Sequence, residues 1–317
     1  VTKIEGTASL VDVPGRGVHR CDLRAKIFRQ LDVRLAVGDE VELVPDESQA
    51  GELRGVIEAV RPRRTRLRRP RAFKRDQVVC ANIDQVFLVV AVLEPDYKRN
   101  FIDRVLVAVE REGLQGAIIF NKVDLADERY RKVVEGDANV YRRAGYPALL
   151  ASAESGEGLD HLARALLGKI TVFSGPSGVG KTSLLNAIQP GLGLRTNEVS
   201  ESTGRGKHTT TAAELFKLDQ GGYVADTPGV RAFGLWDVGP RELAECFHEI
   251  GDVAKGCRFR DCSHRHEPDC AVVRAVQSEE AGPDGEPLID EERYDSYVKL
   301  RDELEAEEAA RQAAKKR

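Results

Sequence analysis

Gly175-Pro176-Ser177-Gly178-Val179-Gly180-Lys181-Thr182 fits G-x-x-x-x-G-K-[ST], and its reading decides the central fold. The apolar stretch Ile170–Phe173 precedes it as a strand, and Ser183–Ile188 follows as a helix, which is the context the motif requires. The glycines let the backbone turn so that successive N–H groups point at phosphate oxygens. The helix N-terminus adds a favourable dipole. Gly175 to Thr182, with Ser183, are therefore expected around the phosphates of a nucleotide. Lys181 is expected to reach the β- and γ-phosphates, and the Thr182 hydroxyl to bind Mg²⁺.

The phosphate loop does not choose a base. Upstream, Asn121-Lys122-Val123-Asp124 follows the apolar strand Ala117–Phe120, at the carboxyl edge where ligands bind in such sheets. An Asp carboxylate offers two acceptors that match the N1–H and exocyclic amino group of guanine. Adenine has no such pair, and the acceptor would stay unsatisfied with ATP. Asn121 would brace the loop, and the Lys122 stem would lie over the base. Ser152-Ala153 follows the next strand, Ala148–Leu150, where a backbone N–H suits guanine O6.

Downstream, Asp226-Thr227-Pro228-Gly229 fits D-x-x-G after strand Tyr223–Ala225. Asp226 can hold Mg²⁺ through water, and the Gly229 N–H can meet the γ-phosphate, a contact that hydrolysis removes. Between the two lies Gly204-Arg205-Gly206-Lys207-His208-Thr209-Thr210-Thr211, polar and Gly-rich. One of its threonines completes the Mg²⁺ shell; Thr210 is favoured, but the sequence does not separate it from its neighbours. Many GTPases place Gln just after D-x-x-G to orient the attacking water. Here that residue is Val230, which cannot hydrogen-bond water. Slow intrinsic turnover is expected, with His208 as the substitute that orients water or accepts its proton. Arg205 is a candidate arginine finger by position alone.

The motif order is unusual. An ordinary GTPase runs from phosphate loop to N-K-x-D, whereas here N-K-V-D stands at 121, the loop at 175 and D-T-P-G at 226. The motifs are circularly permuted, which one sheet tolerates because domain termini are often close. The second switch then leads straight into the C-terminal region, so that region is expected to feel the nucleotide state.

Apolar strands alternating with helices from about residue 76 argue for a largely parallel α/β sheet. Before it, Ile4–Val11, Val18–Leu23, Val41–Val44 and Leu53–Val60 read as short strands of a small barrel. Residues 61–75, RPRRTRLRRPRAFKR, carry nine bases and no acid. Such a run repels itself unless something anionic lies against it, and polyanion binding is the expected role. A barrel beside a basic strip suits an OB-fold, although SH3-like barrels share the strand pattern.

The net charge of −4 conceals this segregation, since residues 279–308 carry thirteen acids against three bases. The tail 291–317 reads as a charged helix that docks by its first half. The longest apolar run, Val86 to Leu93, is eight residues, against the roughly 20 of a membrane-spanning helix. No N-terminal stretch reads as a signal peptide, and the start at Val1 in a chain without Met leaves open residues upstream.

Cys257-x4-Cys262-x-His264-x5-Cys270 supplies four ligands within 14 residues. Three thiolates and an imidazole suit one closed, structural Zn²⁺ site rather than a disulfide framework. His266 would be surplus and is expected at the surface. Cys246 and His248 read as core.

These segments together resemble one family, the small-ribosomal-subunit-dependent GTPases called RsgA or YjeQ. The resemblance rests on Ala81-Asn82-Ile83-Asp84-Gln85, Asn121–Asp124, the loop 175–182, Gly206–Thr211, Asp226–Val230 running into Phe233-Gly234-Leu235, and the Cys cluster. It implies a multidomain chain: an OB-fold β-barrel over 1–70, a circularly permuted α/β P-loop GTPase domain over 71–236, and a mostly helical zinc-binding domain over 237–317. It further implies GTP/GDP and the small (30S) ribosomal subunit with its 16S rRNA as partners, Mg²⁺ and Zn²⁺ as cofactors, hydrolysis stimulated by the subunit, and action late in its maturation. The residue so placed for catalysis is His208. A cytoplasmic chain with no membrane partner is expected, and nothing demands more than a monomer.

Overall fold

The computed structural model describes residues 1–24, 34–46, 53–71, 74–192, 213–226, 238–277, 282 and 285–315. The chain divides into two compact units, Val1–Val89 with Ala151–Ala232, and Val90–Leu150 with Phe233–Arg317.

The first unit begins with β1 (Lys3–Glu5), β2 (Ala8–Val13), β3 (Gly17–Leu23), β4 (Val41–Asp46) and β5 (Arg54–Val60). They pair in the order β1-β2-β3-β5-β4, with β3 and β5 parallel and the other pairs antiparallel. This is the arrangement of a five-stranded, partly open Greek-key barrel. The sequence reads Ile4–Val11 as one strand. The structure splits it, because Gly6 at φ +63° reverses the chain and brings Glu5 opposite Ala8. Val11, Cys21 and Ile57 form the barrel core, with Leu23, Val41 and Leu43 packed around them.

β6 (Arg66–Arg71) follows and pairs antiparallel with β7 (Lys74–Ala81), so much of the basic run is strand. Next comes β8 (Gln85–Ala91), whose seven residues are all buried, as the unbroken apolar run requires of a strand covered on both faces. β11 (Ile170–Ser174) lies parallel to β8 and to β13 (Tyr223–Asp226), and β12 (Glu214–Lys217) runs antiparallel to β13. β1 then pairs with β12, Lys3 opposite Glu214, so the barrel strands and this sheet are continuous. Asp12 on β2 reinforces the seam. Its Oδ2 accepts from the Tyr223 hydroxyl at 2.5 Å and from Lys217 Nζ at 2.7 Å.

In the second unit, β9 (Gln115–Asn121) and β10 (Ala148–Leu150) are parallel. The described helices along the whole chain are α1 (Arg99–Arg111), α2 (Glu128–Arg143), α3 (Leu159–Leu166), α4 (Lys181–Ile188), α5 (His248–Ala254), α6 (Ala271–Gln277) and α7 (Glu291–Lys315). None is long and apolar enough to cross a membrane. The Asp127 side chain caps α2 by accepting from Tyr130 N.

The first half of α7 buries Tyr297, Leu300 and Leu304 in one cluster with Phe247, Ile250, Val272 and Val107 of α1. Beneath it lies an ion pair between α1 and α7. Arg293, 1% exposed, gives Nη1 to Asp103 at 2.6 Å and binds Glu249 through Nε and Nη2. Its guanidinium sits 5.0 to 5.7 Å from the ring centres of Phe247, Tyr141 and Tyr146. Burial opposes the charge, but Glu249 and Asp103 outweigh it and raise the arginine above its ordinary range.

Two outcomes follow from these contacts. Arg293→Ala leaves a buried carboxylate without its partner and is expected to cost about 3–5 kcal/mol, read as an earlier melting step for the second unit. For Asp12, burial alone would raise the carboxyl, but Lys217 and Tyr223 hold it below its usual 3.8. That contribution is complete above pH 3.8 and is lost as pH falls through the lower folded value. The melting-temperature gap between wild type and Asp12→Asn is therefore expected at neutral pH and to close under acid.

Candidate nucleotide and metal sites

In the first unit, β11 delivers Gly175 to its carboxyl end, and the loop closes on α4, whose N-cap is Gly180 at φ +86°. Gly175 has φ +137°, and a Cβ there would stand 2.1 Å from the Val89 carbonyl oxygen. Only glycine fits against β8 at this point. Val179 is buried under the loop, while Ser177 and Gly178 are exposed at its tip. Lys181 Nζ donates to the carbonyls of Gly175 and Pro176, at 2.8 and 2.6 Å. The ammonium thus lies over the loop it would share with phosphate oxygens. Thr182 and Ser183 occupy the first turn of α4.

Ser152 is fully buried. Its Oγ accepts from Glu154 N at 3.2 Å and Ser155 N at 3.0 Å, and its own N–H goes to the Glu157 carbonyl. It therefore shapes the turn that carries Ala153. Asp226 closes β13. His208, Thr210, Gly229, Val230 and Arg205 lie outside the described residues.

In the second unit, β9 ends at Asn121, which is buried and whose carbonyl accepts from Val92 N at 2.9 Å. Lys122 takes up a left-handed conformation, φ 63° and ψ 36°, uncommon for a residue with a side chain. That reversal sends the chain into a short 3₁₀ turn, Val123–Leu125, with Val123 buried and the Asp124 carboxylate exposed. The Lys122 ammonium donates to the Glu94 carbonyl, which fixes its stem. Tyr97 stacks edge-on against Phe120 at 5.1 Å and bonds Asp137 of α2. Sequence reasoning missed Glu94 and Tyr97, because a carbonyl and a packing tyrosine leave no motif.

The four expected metal ligands converge. One ligand atom from each of Cys257, Cys262, His264 and Cys270 lies within 4.8 Å of the others. Cys257 Sγ is 3.5 Å from His264 Nδ1 and 3.9 Å from Cys270 Sγ, and Cys270 Sγ is 3.7 Å from His264 Nδ1. Tetrahedral zinc with thiolate and imidazole bonds of about 2.3 and 2.0 Å requires ligand atoms about 3.5–3.8 Å apart. The donor set and spacing fit that ion. His264 has φ 59°, and its carbonyl accepts from Tyr294 at 2.8 Å, while Tyr297 reaches the Ser263 carbonyl at 2.9 Å. Glu267 gathers the loop by accepting from Ser263 N at 2.7 Å. Arg265 ties it to Asp302 and Glu305 of α7. His266 is exposed and Cys246 is buried away from the group, as expected. His248 stacks on Tyr146 at 4.9 Å.

Gly175→Ala is expected to strain the phosphate loop by about 1–3 kcal/mol, or to weaken GDP binding about ten- to hundredfold in a nucleotide titration. Purified protein is expected to hold one zinc per chain in a chelator-release assay. Cys262→Ser should lose it and loosen the C-terminal region to proteolysis.

Comparison with known proteins gives a consistent picture. The family model described as RsgA GTPase matches residues 60–236. A small ribosomal subunit biogenesis GTPase RsgA from Thermotoga petrophila is 45% identical over 284 residues, 90% of this chain and 88% of its own. Its counterpart from Yersinia enterocolitica serotype O:8 / biotype 1B is 41% identical over 291 residues, 90% of this chain and 79% of its own. The crystal structure of YjeQ from Thermotoga maritima superposes with a TM-score of 0.78 at 39% identity, covering 96% of both chains. YloQ, described as a circularly permuted GTPase, superposes with a TM-score of 0.77 at 30% identity, covering 97% of this chain and 94% of its own. Motif order, strand pairing and these matches agree, and the chain belongs to the RsgA GTPase family, with a circularly permuted GTPase fold.

Proposed function

We propose that this chain is a Mg²⁺-dependent GTP hydrolase of the cytoplasm that binds the small ribosomal subunit, assists its late maturation, and is stimulated by it. The observation that carries the reading is the presence of two motifs, each formed within its own unit. A strand–loop–helix suited to phosphates ends β11, and an exposed Asp124 follows a buried Asn121 at the end of β9. Relatives named for small-subunit biogenesis support the partner.

In this reading Asn121–Asp124 with Ser152 and Ala153 take the guanine, and Gly175–Ser183 take the phosphates. Thr182 and Thr210 bind Mg²⁺, Asp226 holds it through water, and the Gly229 N–H meets the γ-phosphate. His208 orients the attacking water in place of the glutamine that Val230 replaces. Zinc at Cys257, Cys262, His264 and Cys270 holds the C-terminal region in shape. We assign residues 1–70 and 237–317 to rRNA contact and 71–236 to the nucleotide. GTP favours the bound state and hydrolysis favours release. The seating of α7 on α1 supports a C-terminal region that responds to the nucleotide, because both belong to the unit that carries Asp124.

GTP turnover by the purified chain is expected to be slow and to rise by orders of magnitude with isolated small subunits, while ATP is not hydrolysed. Turnover indifferent to subunits would remove the ribosome as activator. Asp124→Asn replaces one acceptor by a donor facing guanine, and is expected to weaken GTP binding about 10²-fold or more while improving xanthosine nucleotide binding.

A further inference from the structure

The basic run is not a free polycation. Arg61 faces Glu40 and Glu42 at 3.9 and 3.5 Å, and Arg64 faces Asp84 at 3.1 Å. Arg63 binds Asp39 through Nε and Nη2 at 2.6 and 2.8 Å, and also donates to the Arg34 carbonyl. The three arginines differ in one respect. Asp39 is wholly buried and its partner nearly so, with side-chain exposures of 0 and 14%. Arg61 and Arg64 are each 59% exposed. Exposed pairs of this kind are worth about 0–1 kcal/mol and exchange freely, whereas the buried bidentate pair does not.

The backbone under the exposed pairs is fixed. Arg64 N donates to Asn82 Oδ1 at 2.8 Å, the Thr65 hydroxyl donates to the Ile83 carbonyl at 2.6 Å, and Arg61 N donates to the Glu40 carbonyl at 2.9 Å. Asn82 in turn holds the Gly38 carbonyl. Gly38 has φ +88°, and a Cβ there would lie 2.0 Å from the Ala81 carbonyl. Two exposed guanidiniums thus spring from a fixed backbone, each facing a carboxylate that resembles a phosphate in charge and acceptor geometry.

We propose that Arg61 and Arg64 form an exchange ledge, at which RNA phosphates displace the carboxylates of Glu40, Glu42 and Asp84, while Arg63 stays paired and takes no phosphate. This rests on the rRNA-binding reading above and adds a mechanism to it. The carboxylates tax every encounter with a polyanion, so a contact that engages only this ledge gains little. Binding becomes productive when other surfaces engage at the same time. Asp84 keeps a second task during the exchange, since its Oδ2 accepts from Ile170 N at 2.8 Å at the start of β11.

The exchange has a thermodynamic signature. A free arginine that binds a phosphate releases a condensed cation. An arginine taken from a carboxylate leaves that carboxylate to attract a cation, so net release is nearly nil. The ledge arginines therefore contribute little to the salt dependence of wild-type binding. The test is the affinity for isolated small subunits, measured between about 50 and 200 mM salt. The proteins are wild type, Glu40→Gln/Glu42→Gln/Asp84→Asn, that triple variant with Arg64→Gln added, and Arg63→Gln, with GDP affinity as the folding control. The Asp84→Asn change keeps a side-chain carbonyl as acceptor for Ile170 N.

The triple variant is expected to bind more tightly at low salt, with a log–log slope steeper by about 1–2, from two arginines at about 0.7–0.9 each. Adding Arg64→Gln is expected to remove about half of that increment. Arg63→Gln is expected to leave the slope unchanged and to lower the melting temperature. Wild-type binding with an unchanged slope and affinity in the triple variant would overturn the ledge and leave RNA binding standing. Failure of every protein to bind subunits while all bind GDP would overturn the rRNA reading, and the ledge with it.

Discussion

A missing methyl group sets the terms for much of this molecule. The Cα of Gly175 lies against the Val89 carbonyl of β8, and any side chain there would collide with it. The contact fixes where β11 must end relative to its neighbour. It thereby fixes where the phosphate loop begins and how α4 presents its first turn. The apolar residues of β8 and β11 provide the supporting mass, because strands buried on both faces cannot slide without losing their packing. Pre-organised N–H groups are useful only if the strand behind them does not move.

A different logic holds the C-terminal region together. Its helices flank the irregular loop 257–270, which could not bury enough apolar surface to hold its own shape. Four converging ligands, Glu267 gathering backbone N–H groups, and two tyrosines of α7 clasping Ser263 and His264 do that work locally. The region is then anchored to α1 by the caged Arg293, with Arg99 and Arg104 of α1 pairing to Asp290 and Glu303 beside it. Buried ion pairs of this sort seldom add stability over an apolar replacement, but they select one seating of two surfaces over its alternatives. Here the seating joins α7 to the helix that precedes the Asn121 strand.

Both motifs and their permuted order were legible in the sequence, because phosphate and guanine recognition use consecutive residues with narrow chemical demands. The metal ligands were legible for the same reason. The basic run was legible only in composition. Its partners Asp39, Asp84, Glu40 and Glu42 lie about 20 residues away on either side, and no periodicity marks a pairing across that gap. Arg293 and Asp103 are 190 residues apart, and only the improbability of an arginine among apolar helix positions could have hinted at burial. Ile4–Val11 misled because alternation continues through Gly6, and a lone glycine reads equally as a bulge or a turn. Lys122 carried no signal of its left-handed backbone, since lysine is not a residue that announces one.

The seam between β1 and β12 sets a timetable for synthesis. Lys3 pairs with Glu214, roughly two hundred residues later in the chain. At elongation rates of about 5–20 residues per second, β1 waits about 10–40 seconds for its partner strand. During that wait the barrel must hold an open edge in a crowded compartment. The side chains on it are suited to the interval, because Lys3 and Glu5 put charge along β1, and a charged edge recruits strangers poorly. In the folded chain Lys3 Nζ lies 3.5 Å from Glu5 and 3.2 Å from Glu214 of β12. The lysine that guards the edge in the nascent chain helps to close it in the finished one.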